Sequence, residues 1–96
     1  MTTVQQLVAE LDAWASFSLQ ESYDNAGLIV GDPASVITGV LIALDCTETV
    51  VEEAIQRGCN VVVAHHPIVF KGLKRLTGRT YVERTIRKAI KADVAI

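Results

Sequence analysis

Two near-continuous aliphatic runs, Val36 to Leu44 and Val61 to Ala64, flank one amphipathic stretch of helix length. A strand with one wet face alternates polar and apolar residues, whereas a run with almost no alternation asks for two dry faces. Both runs therefore read as buried strands. Between them, Thr47 or Thr49 starts a helix, with Thr49 and Glu52 placed as a capping box. Val50, Val51, Ala54 and Ile55 form its inner face, and Gly58 is set to close it as the C′ residue. Strand, helix and strand within about thirty residues is a βαβ unit, so the two strands run parallel. The expected fold is α/β: a mainly parallel sheet flanked by helices, layered α/β/α.

The remainder of the 96 residues is consistent with one domain spanning 1–96. Val4, Leu7, Val8, Leu11 and Trp14 recur at helical spacing, with Thr2 or Thr3 and Gln5 or Gln6 as a capping pair. Periodicity disappears from Ser16 to Gly27, and Leu28-Ile29-Val30 is a short strand. From His65 to Arg79 there is again no clear period, although Ile68-Val69-Phe70 has the character of a brief extended piece. A loop of that length in a compact domain points to function. Thr80 and Glu83 cap a third helix with Val82, Ile86, Ala89 and Ile90 inward, and Val94-Ala95-Ile96 opens a third parallel strand.

Composition narrows the function classes. Half the residues are hydrophobic and only 5% aromatic, an aliphatic surplus that excludes disorder. No apolar run approaches the about 18 residues of a membrane span. A net charge of −2 makes a nucleic-acid partner an unsuitable expectation. Eight of the nine cations nevertheless lie between Lys71 and Lys91, forming either a local anion-attracting patch or a solvated helix face. Cys46 and Cys59 match no zinc or redox spacing, and with no signal peptide at Met1-Thr2-Thr3 the expected location is the cytoplasm.

In open α/β sheets ligands gather outside the carboxyl ends of the strands. Asp45 follows the first long strand and His65-His66 the second, so a carboxylate and two imidazoles converge on one rim. That donor set suits a divalent Zn, Mn or Fe ion. Each residue also has a plain structural reading: hydrogen-bonded histidines, and Asp45 as a helix cap. Adjacent strand residues point to opposite faces, so both histidines reach one site only where the strand turns, which Pro67 favours. Cys46 lies near the rim and close to a helix start, a setting that lowers a thiol pKa, but a small buried core cysteine is the simpler reading.

The segments Glu21-Ser22-Tyr23-Asp24-Asn25-Ala26-Gly27-Leu28, Ala43-Leu44-Asp45-Cys46-Thr47 and Asn60-Val61-Val62-Val63-Ala64-His65-His66-Pro67-Ile68-Val69-Phe70-Lys71-Gly72-Leu73-Lys74 occur in that order. Together they resemble the Nif-three-like family, also labelled the GTP cyclohydrolase I type 2 family. The resemblance implies a cytoplasmic, ring-shaped homohexamer of α/β subunits, each holding two divalent metals. It makes His65 and His66 metal ligands. It marks Asp45 and Asp24 as candidates near the catalytic pocket, and Asn25, Lys71 and Lys74 as candidates for binding a small anionic or nucleotide substrate. Family members continue into a His-Thr-x-x-Asp-type motif and a later His and Glu, so the resemblance covers an N-terminal part only. It implies a metal-dependent hydrolase or, alternatively, a non-catalytic metal-binding regulatory protein; a third reading is a plain α/β fragment with structural histidines. These 96 residues alone are expected to expose an apolar sheet edge or face and to associate.

Overall fold

The computed structural model describes residues 1–14, 27–66 and 75–96. Most of the aperiodic stretch from Ser16 to Gly27 and the extended piece at Ile68–Phe70 lie outside these residues. In chain order the elements are α1 (Val4–Trp14), β1 (Val40–Asp45), α2 (Glu48–Gln56), β2 (Val61–His66) and α3 (Tyr81–Ala92). β1 and β2 pair in parallel, with Val40 opposite Val61 and Ile42 opposite Val63. Beyond β2, Ala95 bridges to Val61 in parallel, and the Ile96 amide and carbonyl bond to residues 29 and 30. The 94–96 segment thus lies on the side of β2 away from β1. Leu28-Ile29-Val30 forms no regular strand: the Ile29 and Val30 amides converge on the single Ile96 carbonyl, at 2.8 and 3.2 Å.

Two apolar layers sandwich this sheet, giving the α/β/α arrangement. On one side Val51 and Ala54 of α2 and Ile86 and Ala89 of α3 meet Val62 and Val94, with Leu41 and Ala64 at the margin. On the other, Val4 packs on Val61 and Ala95, with Leu7, Val8 and Val63 alongside. α1 therefore covers β2 and the 94–96 segment. Val40, Ile42 and Leu44 remain 39%, 79% and 64% exposed. This corrects the expectation of a buried central strand: among the described residues β1 pairs on one edge only, and no layer lies over its second face.

The strand is also shorter than its apolar run. Residues 36–38 leave the ladder because Asn60 ties them down: its Oδ1 accepts from the Thr38 amide at 2.8 Å, and its Nδ2 donates to the Val36 carbonyl at 2.9 Å. The Thr38 hydroxyl donates to the Gly58 carbonyl, which closes the corner.

The helix ends follow local chemistry. Thr3 and Gln6 exchange reciprocal side-chain to amide hydrogen bonds, a capping box at the start of α1. α2 is capped by Thr47, whose Oγ1 accepts from the Val50 amide. Thr49 is not the cap, and Glu52 turns to Lys88 at 2.7 Å instead. Gly58, with φ +72°, closes α2 as a Schellman turn: the Cys59 amide donates to Ala54 and the Gly58 amide to Ile55. On α3, Thr80 and Glu83 form the expected box. The Glu83 carboxylate also accepts from the Thr77 and Arg79 amides. Burial pushes its pKa up, but these hydrogen bonds together outweigh burial and hold it below the ordinary value.

Two inward assignments fail at the flanks of their stripes. Ile55, in the last turn of α2, and Ile90 of α3 are 39% and 58% exposed. α3 is rotated so that Thr85 is buried instead, its hydroxyl satisfied by the Tyr81 carbonyl at 2.7 Å.

α3 ends on Asp93, at φ 60° and ψ 42°. A left-handed residue with a Cβ is strained there, and a carboxylate opposes the negative end of the helix dipole. Asp93→Gly removes both penalties against some extra unfolded-state entropy, so a net stabilisation of about 0.5–1 kcal/mol is expected. A urea midpoint that stays level or falls in this variant would contradict that account.

Candidate metal centre

β1 and β2 end side by side. Asp45 is the last residue of β1 and His66 the last of β2, and the two are register partners across the parallel pair. Both strands run further than the sequence suggests, so Asp45 and the histidines sit inside the last strand positions, not just past them. The chain leaves Asp45 through buried Cys46 into the Thr47 cap, which places the start of α2 at this same rim.

Strand alternation then decides which groups share a face. Val61 and Val63 pack on the α1 side, so His65, the next residue of that parity, belongs to the α1 side and is exposed. Leu41 and Ala43 alternate the other way, with Leu41 packed under α2 and α3, so Asp45 belongs to the opposite side of the sheet from His65. The structure brings Asp45 and His66 together in register and separates Asp45 from His65. The remaining candidates, Asp24, Asn25, Lys71 and Lys74, lie outside the described residues. Among the described residues no group of three or more His, Cys, Asp or Glu side chains is placed to hold a metal.

Cys46 belongs to the core and not to the rim chemistry. It is 3% exposed within the α2–α3 cluster, and burial pushes its thiol up to about 11. The cationic last third also resolves in part. Arg84 pairs with Glu48 at 3.5 Å and Lys88 with Glu52 at 2.7 Å, so these two cations serve a solvated helix–helix seam between α2 and α3.

One positioning residue escapes a sequence reading altogether. Asn60 ties residues 36 and 38 to the entry of β2 and so sets where β1 begins. Its only signal is a polar residue directly before an apolar strand, which many turns share.

No described helix is long and apolar enough to cross a membrane. The family description Duf34/NIF3 (NGG1p interacting factor 3) matches residues 2–96. A protein named GTP cyclohydrolase 1 type 2 homolog from Staphylococcus aureus strain COL is 46% identical over 91 residues, which are 95% of this chain and 25% of the relative. The homolog of the same name from Clostridium acetobutylicum is 38% identical over 93 residues, 97% of this chain and 35% of the relative. The crystal structure of Staphylococcus aureus protein SA1388 is similar with a TM-score of 0.93 at 45% identity, covering 98% of this chain and 30% of that one. The chain thus spans between a quarter and about a third of the length of these relatives. With nearly every residue matched and the fold reproduced, the chain belongs to the Duf34/NIF3 family.

Proposed function

We propose that this chain forms part of a divalent-metal site, with His65 and His66 as ligands, in a di-metal hydrolase of the GTP cyclohydrolase type 2 kind. The observation that supports the reading is the rim where β1 and β2 end, with Asp45 and His66 in register; His65, on the α1 side of the sheet, joins a site there only around the end of β2. Two imidazoles and a carboxylate are a donor set suited to Zn, Mn or Fe. A complete centre needs at least three protein ligands, so it draws on groups additional to those described. Bound there, a metal pair would supply Lewis acidity, enough to acidify a water and polarise a substrate carbonyl or ring carbon.

The chain's own residues have distinct tasks in this reading. His65 and His66 hold metal from the end of β2. Asp45, on the neighbouring strand, orients a ligand or takes a proton, and Asp24 is a second carboxylate for that work. Asn25, Lys71 and Lys74 would engage a small anionic or nucleotide substrate. The setting is a cytoplasmic homo-oligomer, a hexamer at full length.

The test is metal content, measured by elemental analysis on the 96-residue chain and on the same chain continued to the length of its relatives. Stoichiometric metal is expected in the longer protein. His65→Ala and His66→Ala should each lower affinity at least about tenfold, the smallest loss that even an outer-shell change brings. A longer protein with no stoichiometric metal sinks the proposal, as does full retention in both variants.

A further inference from the structure

We infer that the Glu83 carboxylate is an acid-released clasp: ionised, it holds the 77–80 loop to α3, and on taking up a proton it lets that loop go while α3 stays folded. It is formed without any rim residue and stands whether or not the metal reading holds.

The loop has no other backbone anchor among the described residues, where no main-chain hydrogen bond joins Thr77, Gly78 or Arg79 to the rest of the chain. Its donors converge on one side chain instead. Glu83 Oε1 accepts from the Thr77 amide at 3.1 Å and from the Thr77 hydroxyl and the Arg79 amide at 3.4 Å each. Oε2 accepts from the Thr80 hydroxyl at 3.2 Å. Thr77, Arg79 and Thr80 are exposed whereas Glu83 is buried, so a solvent-facing loop is tied to a carboxylate fixed in the helix. One further tie, from Arg84 Nη1 to the Gly78 carbonyl at 3.3 Å, comes from an exposed guanidinium that also reaches Glu48.

Charge is what lets one group serve four donors. An ionised carboxylate offers about four lone-pair sites, and hydrogen bonds to it are roughly twice as strong as neutral ones. Protonated, it keeps at best two carbonyl lone pairs for the three donors at Oε1, so one donor is released and the others weaken. The helix keeps its cap, because the Glu83 amide donates to the Thr80 hydroxyl at 3.2 Å without using the carboxyl group.

The charged groups of the elements that meet here are Arg75 and Arg79 before α3, Arg84 and Arg87 on α3, and Glu48 on α2. Arg87 Nη1 stands 3.0 Å from the Cβ position of Gly78, and Arg84 holds Glu48. Among the described residues none of these side chains bonds the Glu83 carboxylate. Its ionisation is therefore governed by burial, which raises its pKa, and by the loop's hydrogen bonds, which outweigh burial and lower it. With the folded value depressed, the clasp is fully closed above the ordinary glutamate value and is lost as pH falls through the folded one.

The experiment is amide hydrogen exchange at Thr77 and Arg79, with Ile86 and Ala89 of α3 as internal references, in the parent, Glu83→Gln and Glu83→Ala. Glutamine is the neutral isostere of the protonated group. At neutral pH, protection at Thr77 and Arg79 should fall at least about tenfold in Glu83→Gln and no less in Glu83→Ala, with Ile86 and Ala89 unchanged. In the parent, which needs no substitution, the same two amides should lose protection as pH drops, with a midpoint below the ordinary glutamate value. Unaltered protection at Thr77 and Arg79 in Glu83→Gln would overturn the inference. So would equal losses at Ile86 and Ala89, which would mean that the whole helix opens. A parent that unfolds globally before the loop is released, or a midpoint at or above the ordinary value, would also overturn it.

Discussion

Replacing Gly31 by alanine is expected to cost about 3 kcal/mol. Two penalties coincide. Gly31 has φ +123°, where a Cβ brings strain of order 1–3 kcal/mol. A Cβ there would also stand 2.7 Å from the Ala95 Cβ and 2.8 Å from the Ala95 Cα. The second contact is with backbone, in the segment whose carbonyl bonds Val62 and whose neighbour Ile96 bonds Val30, so it has little freedom to retreat. Forced displacement in a packed region adds another 1–3 kcal/mol or so. Gly58 provides the contrast. It also has positive φ, but nothing lies within 4 Å of its Cβ position, so Gly58→Ala should cost only about 1 kcal/mol. Urea midpoints of the two variants would settle the comparison. If Gly31→Ala lost no more than Gly58→Ala, the close approach to Ala95 would not be what requires glycine.

The residues that were legible in the sequence are those whose partners lie a few positions away. Thr3 with Gln6, Thr80 with Glu83, and Gly58 after α2 all act through hydrogen bonds within one turn, so local spacing identifies them. β1 was legible as a strand but not as an edge. Its apolar run is the same whether its neighbour is present or lies in other sequence, and only packing shows that Ile42 is open. The N-terminal end of the run was misread for a related reason. Asn60 removes Val36 and Thr38 from the ladder from more than twenty residues away, which no window of periodicity detects.

The rim shows the same division. That Asp45 and the histidines meet at one end of the sheet follows from the parallel βαβ pattern alone. Which of them share a face depends on the residue at which β2 stops. Two further strand positions place His65 on the α1 side, opposite Asp45, while Asp45 and His66 fall in register.

Raising the pH from 8 to 10.5 should destabilise the chain through Cys46 by about 2 kcal/mol. Folding lifts this thiol from 9.0 to about 11 by burial, so the fold favours the neutral form. The preference is fully present below 9.0 and is lost as pH rises through 11, at about 1.4 kcal/mol per unit between the two. Cys46→Ala lacks the titration, so the difference between its urea midpoint and that of the parent chain should shift with pH across this window. A constant difference from pH 8 to 10.5 would mean that burial does not hold the proton on Cys46. Reactivity provides an independent measure. At pH 8 the folded thiol should be about a hundredfold less ionised than one at 9.0, so iodoacetamide should modify Cys46 at least that much more slowly in the native chain than in urea. Cys46 sits directly before the Thr47 cap of α2, where a helix start would ordinarily promote a thiolate. Burial against Val51 and Ala54 outweighs that pull. Burial thus keeps the Cys46 thiol in its neutral form near pH 8, where it is a poor nucleophile.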